Sequence, residues 1–284
     1  MKIALCLHGY FAGAGGTPAA EVAFNYLDRK VMYNNDVDVF IHSWDLENQN
    51  KVTNLYKPTA CQFEEQHLFE EEMKHFDEEW FNEEFSRRST MYHNNTIFRG
   101  LSFLYSRMRA LEIKREYETQ NNFEYDCVVL SRFDVSTRGK EHPQTYYVTN
   151  MNFNKALDMQ YLYSAYWKQM NHGYADHWFY SNSETMDQVG NLYNKVKEYY
   201  QKDSAYIKAV TEGWPESNKE DEFSNECMKG DSTEEVQRSA FPKWGCIDNH
   251  KLYKWYFMDT GLHASSRYVD ITQDTPTPRI YNHA

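Results

Sequence analysis

Apolar blocks with two different periods organise the first half of the chain. Lys2–Leu7, Val37–Ser43 and Asp126–Ser131 are short, mostly apolar runs rich in Val, Ile, Leu and Cys. Runs of this length and type predict strands buried in a parallel sheet. Between them the period becomes helical. Helices are predicted near 19–31, over an acidic stretch at 64–85, and over 101–118. In the acidic stretch Phe69, Met73, Phe76 and Trp80 recur at i, i+4, i+7 and i+11, one face of a helix. In the next, Leu104, Tyr105, Met108 and Leu111 are expected inward, and Lys114, Arg115 and Glu116 outward. Such alternation predicts an α/β fold: a mostly parallel, Rossmann-like sheet flanked by crossover helices.

The pattern loosens after Asp134. Thr145–Tyr147 and Gln160–Tyr166 read as short strands, Ser183–Tyr200 as one helix, and 247–259 as a last helix capped at Gly261. Residues 202–245 mix Gly, Pro, Ser and acidic residues without a period, and read as a long surface excursion. At 284 residues the chain is long enough for one α/β domain with a substantial core.

Composition changes this picture in three places. The net charge of −12 is local in origin, because residues 64–84 hold ten acidic side chains against the single base Lys74. That pattern fits the solvated face of an amphipathic helix, the alternative being a dock for a basic partner. Nothing supplies a basic stripe for bulk nucleic-acid binding. The five cysteines are scattered and contain no CxxC, so a reduced, cytoplasmic setting is expected, with Cys6 and Cys127 as core thiols. No apolar run approaches the ~20 residues that a membrane span needs, and the start is too short in apolar residues for a signal peptide.

Candidate chemistry gathers at the strand ends. The run Cys127–Leu130 leads into Arg132 and Asp134, and open α/β sheets bind ligands outside the carboxyl ends of their strands. A carboxylate there suits a hard divalent cation, which in turn suits phosphate oxygens. The other reading of Asp134 is a turn cap. Arg132 could hold a diphosphate with its planar fork or pair with a neighbouring carboxylate. His8, Gly9 and Tyr10, followed by Gly13, Gly15 and Gly16, form a Gly-rich loop whose backbone could approach a ligand. Asp176 opens an apolar segment and could bind or deprotonate an acceptor, or simply start a strand. His250 and His263 are candidates for a further metal contact, although a lone histidine is more often structural. Cys246 and His250 lack the second pair that a zinc site needs.

Several of these stretches resemble one family. Phe123-Glu-Tyr-Asp-Cys-Val-Val-Leu-Ser-Arg-Phe-Asp134 resembles the strand-plus-DxD element of GT-A-type glycosyltransferases, with Arg132-Phe133-Asp134 standing where Asp-x-Asp usually stands. Lys2-Ile-Ala-Leu-Cys-Leu-His-Gly9 is similar to the first strand and nucleotide loop of that class. Val37-Asp-Val-Phe-Ile-His-Ser-Trp-Asp45 is similar to the second strand of polysaccharide-type transferases from bacterial capsule loci, phages and large DNA viruses. Ser102-Phe-Leu-Tyr-Ser106 resembles the helix before the metal-binding strand, and Asp176–Met186 a later, acceptor-side segment, in the family's order.

The resemblance implies a GT-A-like single domain, with residues 1–135 holding the donor and 136–284 the acceptor. It implies transfer of a sugar from a UDP- or GDP-sugar to a hydroxyl of a glycan-type acceptor, with Mn²⁺ or Mg²⁺ as the cofactor. His8, Gly9, Tyr10, Ser102, Ser106, Arg132 and Asp134 would line the donor site, Asp134 and His250 would hold the metal, and Asp176 would be the catalytic base. The alternatives are a non-catalytic nucleotide- or sugar-binding relative and an α/β-hydrolase. Leu7-His8-Gly9 suits the hydrolase oxyanion loop, but Gly100-Leu-Ser-Phe-Leu104 breaks the G-x-S-x-G elbow which that fold needs.

Overall fold

A computed structural model describes residues 1–11, 16–76, 97–133, 135, 151–167, 173–212 and 249–272. Seven strands form one sheet: β1 (Lys2–His8), β2 (Asp36–Ser43), β3 (Ala60–Phe63), β4 (Cys127–Arg132), β5 (Leu162–Trp167), β6 (Gly173–Ser181) and β7 (Ser266–Thr272). Their order is β3-β2-β1-β4-β6-β5-β7. β1 is parallel to β2 and β4, β2 to β3, and β5 to β7, whereas β6 runs antiparallel to both β4 and β5. The sheet is mostly parallel, as expected, but mixed, with β6 reversed. Its reversal follows from chain length: five residues separate Trp167 from Gly173, and a parallel connection needs a dozen or more.

The helices are α1 (Gly16–Leu27, continuing into a π-helical turn at Asp28–Met32), α2 (Gln49–Tyr56), α3 (Glu70–Met73), α4 (Ile97–Asn121), α5 (Ser183–Gly190), α6 (Leu192–Tyr199), α7 (Ala205–Glu212) and α8 (Asn249–Asp259). Side chains alternate across the strands with period two. On one face Ala4, Cys6, Phe40, Val128 and Leu130 pack with Leu104 and Leu111 of α4 and with Leu252 and Phe257 of α8. On the other, Ile3, Leu5, Val39 and Ile41 pack with Tyr26, Leu27, Val52 and Tyr56. Cys6 and Cys127 are buried free thiols, as expected.

Several parts depart from the sequence reading: within the excursion expected at 202–245, Ala205–Glu212 is a helix with Tyr206 and Ile207 buried, and the strand expected at Thr145–Tyr147 lies outside the described residues. The acidic helix does not begin at 64: Glu64 N–H donates to Ser43 O at 3.2 Å, extending the β2–β3 pairing, and Phe69 takes a left-handed φ of +55° before α3 starts. Residues 77–96 lie outside the described part, but Phe69 and Phe76 are buried as their spacing predicted. The helix at 183–200 is two helices. It breaks at Gly190, where a Cβ would sit 2.8 Å from Leu111 Cδ1, so the contact with α4 is closer than most side chains allow. Lys114, expected outward, is 0% exposed, with Nζ 2.8 Å from both Glu118 and Asp187.

Candidate functional site

The strand order turns outward in two directions from β1 and β4, and ligand crevices of open α/β sheets lie at such a switch point. His42, His8 and Arg132 are register partners across β2, β1 and β4. Their alternation from Phe40, Cys6 and Leu130 places all three on the face that α4 covers. A row of polar groups thus closes the apolar core at the carboxyl ends of three parallel strands.

β6 adds a carboxylate to this row through an irregularity. Its pairing with β5 passes from Ser164 opposite Phe179 to Tyr166 opposite Tyr174, so Ala175–Trp178 stand against Ala165 alone. Bulges of this kind re-aim side chains, and the one here carries Asp176 and His177. Asp176 Oδ1 lies 3.7 Å from Arg132 Nη1 and 3.9 Å from His250 Nε2, and Asn249 Nδ2 donates to Oδ2 at 3.5 Å. Burial pulls the Asp176 carboxyl upward, but His250, His177, Arg132 and Arg107 together override it and hold it well below the usual carboxylate range. A carboxylate held so firmly ionised is a weak Brønsted base. It is well suited to anchoring cationic side chains.

Gly9 follows β1 with φ +94°, a conformation that favours glycine. The sequence suggested that its amide would face a ligand, and this is corrected by its hydrogen bonds. Gly9 N–H donates to Ser106 Oγ at 3.0 Å and to His42 O at 3.2 Å, while its carbonyl accepts from Ser43 Oγ at 2.7 Å. The loop is pinned inward, although the space a Cβ would enter is open beyond 4 Å. Tyr10, next along, is 50% exposed.

Ser106 Oγ lies 2.8 Å from His42 Nδ1, and His42 Nε2 lies 2.9 Å from Glu64 Oε1. This chain has the connectivity of a nucleophilic triad. It does not fit nucleophilic use, because Ser106 is 0% exposed and its oxygen already accepts the Gly9 amide. Ser102, one turn earlier on α4, donates to Gln66 Oε1 at 2.9 Å rather than turning to Gly9.

Of the expected site residues, the fold brings His8, Gly9, Ser106, Arg132, Asp176 and His250 to one end of the sheet, while Ser102 belongs to the contact with Gln66. Asp134 lies outside the described residues. His263 is a core residue bound to the Tyr174 hydroxyl at 2.5 Å. His250 Nδ1 is engaged by Tyr174 O at 2.9 Å, which directs Nε2 at Asp176. Among the described residues no group of three His, Cys, Asp or Glu side chains could hold a metal. With Arg132 against the Asp176 carboxylate, the described part of the crevice does not fit a divalent cation.

Sequence reasoning missed His42, Ser43, Arg107 and Asn249. Arg107 did carry a signal, because it falls between Leu104 and Leu111 on the apolar face of α4. No protein-family model matches this chain, and comparison with curated proteins also gives no match.

Proposed function

We propose that the protein is a nucleotide-sugar-dependent glycosyltransferase that uses the β1–β4 switch point as its donor site and moves a sugar to a hydroxyl of a glycan-type acceptor. The observation that carries this reading is the position of Arg132. Its guanidinium stands at the carboxyl end of β4, beside His8 and the Gly9–Tyr10 turn, with 30% of its side chain accessible. A guanidinium fork there suits a diphosphate leaving group, whose developing charge it would offset in a partly desolvated site. Tyr10 would stack on the base. The reading assigns diphosphate neutralisation to Arg132 and routes no step through a metal.

A second reading, a nucleotide-sugar-binding protein without turnover, is favoured by the lowered pKa of Asp176, the one carboxylate described among these cationic groups. The experiment that separates the two begins with UDP and GDP binding to wild type and Arg132→Ala. A charge-assisted hydrogen bond is worth about 1.5–3 kcal/mol, so the variant should bind at least about tenfold more weakly. Turnover is then followed across a panel of nucleotide sugars and acceptors. Equal affinity of the two proteins for both nucleotides would remove Arg132 from the donor site and the transferase reading with it. Binding without turnover of any donor would leave the second reading.

A further inference from the structure

Arg107 has no role in the donor site as described so far, yet it is a fully buried charge on α4. It is 1% exposed, and Nε, Nη1 and Nη2 are all buried without a well-formed hydrogen bond among the described residues, although the Tyr253 hydroxyl stands close enough to favour the charge. Its guanidinium lies among three rings, 4.9 Å from the centroids of Phe103 and Tyr253 and 5.1 Å from that of Phe179. Cation–π contacts stabilise such a group only in part, and a buried donor without an acceptor is costly. His8 Nε2 is likewise buried and without a partner, and its ring meets Phe103 edge-on at 5.3 Å.

A charged acceptor is close at hand. Asp176 is within electrostatic reach of Arg107, and the two elements that carry Asp176 and its neighbour Asn249 also supply Phe179 and Tyr253 to the cage around Arg107. The contacts of Asp176 with Arg132, His250 and Asn249 span 3.5–3.9 Å, long for charge-assisted hydrogen bonds. Two guanidiniums therefore share one loosely held carboxylate on a bulged strand. One is partly accessible at the crevice and the other is sealed beneath it.

We propose that Arg107 is the alternate partner of Asp176: when Arg132 engages a diphosphate, the carboxylate turns to Arg107, which holds it in place inside the protein. This rests on the donor-site reading above and makes Arg107 a positioning residue that acts through Asp176. Without Arg107, Asp176 would keep Arg132, and the state competent for an anion would become a minor one.

The test is a double-mutant cycle with inorganic pyrophosphate and UDP as probes, read by calorimetry on the full chain. Arg107→Gln should lower pyrophosphate affinity by roughly tenfold or more, the factor by which the competent state is depopulated. Asp176→Asn should bind pyrophosphate at least as tightly as wild type, and adding Arg107→Gln to it should change affinity by less than about twofold, since the carboxylate that the two guanidiniums share is gone. Arg107→Lys keeps the charge and should retain most of the affinity if Arg107→Gln does not fold. In the unaltered protein, the Arg107 Nε–H resonance should shift and gain exchange protection when pyrophosphate is added. Equal losses from Arg107→Gln in both backgrounds, an unmoved Arg107 resonance, or no binding of pyrophosphate or UDP by wild type would each overturn the exchange. Coupling without turnover of any nucleotide sugar would uphold the exchange while removing the transferase reading. Turnover without coupling would do the reverse.

Discussion

Ser106 Oγ lies 2.8 Å from His42 Nδ1 and receives the Gly9 amide at 3.0 Å, so one hydroxyl joins α4, β2 and the turn after β1. Ser106→Ala would leave the buried His42 Nδ1 without its partner and Gly9 N–H with only the longer bond to His42 O. An unsatisfied buried polar group costs about 1–3 kcal/mol. The expected outcome is a loss of that size in urea unfolding, with weaker UDP binding as the Gly9–Tyr10 turn loosens. Unchanged stability would show that Ser106 contributes nothing to the turn.

Acidification should destabilise the fold below about pH 6.5. Burial, the largest influence, lowers the pKa of His42 despite the opposing Glu64, and burial with Arg107 and Arg132 lowers His8 well below its ordinary value of 6.5. A histidine with a depressed folded pKa binds its proton better in the unfolded chain. Its stabilising contribution is complete above the unfolded value and is lost as pH falls from there toward the folded one. Glu64 adds a loss of the same sign only at lower pH, below its ordinary value of 4.5: burial raises its pKa, but bonds from His42 and Gln62 bring it below that value. Each histidine contributes a slope of at most about 1.4 kcal/mol per pH unit. Urea midpoints measured from pH 7.5 to 5 should fall, and less steeply in His42→Gln, which keeps a donor and an acceptor but does not titrate. An identical slope in that variant would show that His42 is not a source of the dependence.

Lys114 sits further along α4, about 12 Å from Ser106 at ~1.5 Å per residue. Its Nζ also meets Ser183 Oγ at 2.6 Å, joining α4 to α5. Lys114→Ala would leave Glu118 and Asp187 facing each other without a cation, and breaking a buried pair in this way costs about 3–5 kcal/mol. Denaturant unfolding should show that loss, and Lys114→Met with Glu118→Gln should recover part of it. A loss below about 1 kcal/mol in Lys114→Ala would place the network in the weak class of exposed pairs.

β1, β2 and β4 were legible because short β-branched apolar runs such as Ile3–Leu7 or Cys127–Leu130 suit buried strands, whereas the four-residue edge strand β3 was not. The reversal of β6 was implicit in the short spacing from β5, whereas its bulge at Asp176 had no sequence signal, since pairing register is a long-range property. Lys114 was expected outward because charge was taken to mean solvent, and Arg107 was not singled out at all. Arg107 shares a helical face with Leu104 and Leu111, and Lys114 precedes Glu118 by one turn. Both spacings are compatible with burial once a partner is supplied from elsewhere in the fold. For Arg132 and Asp176 the sequence identified two separate candidates, and only the antiparallel pairing of β4 with β6 brings them together.

Diphosphate binding should persist without divalent cations if Arg132 carries the charge. Affinity for UDP, measured with EDTA and then with added Mn²⁺, is expected to change by less than about tenfold, below the usual effect of removing a metal's Lewis-acid contact. Loss of binding in EDTA, with recovery on Mn²⁺, would show that a cation held outside the described residues dominates the site.

Asp176→Asn distinguishes a positioning carboxylate from a catalytic base. A base contributes about 10²–10⁴-fold to turnover through proton transfer, with little effect on donor affinity. The depressed pKa and the cationic surroundings of Asp176 predict another pattern. Donor affinity should hold or improve, because Arg132 loses its competitor. Turnover should fall by less than about 10²-fold, through disorder of Arg132 rather than loss of a proton acceptor. The pH profile gives a further check, since a positioning carboxylate that is ionised throughout leaves kcat flat across the neutral range. A fall of ~10³-fold in kcat at unchanged donor Kd would identify Asp176 as the base after all. It would also mean that substrate binding raises its pKa, which requires the ligand to draw His250, Arg132 or Arg107 away from it.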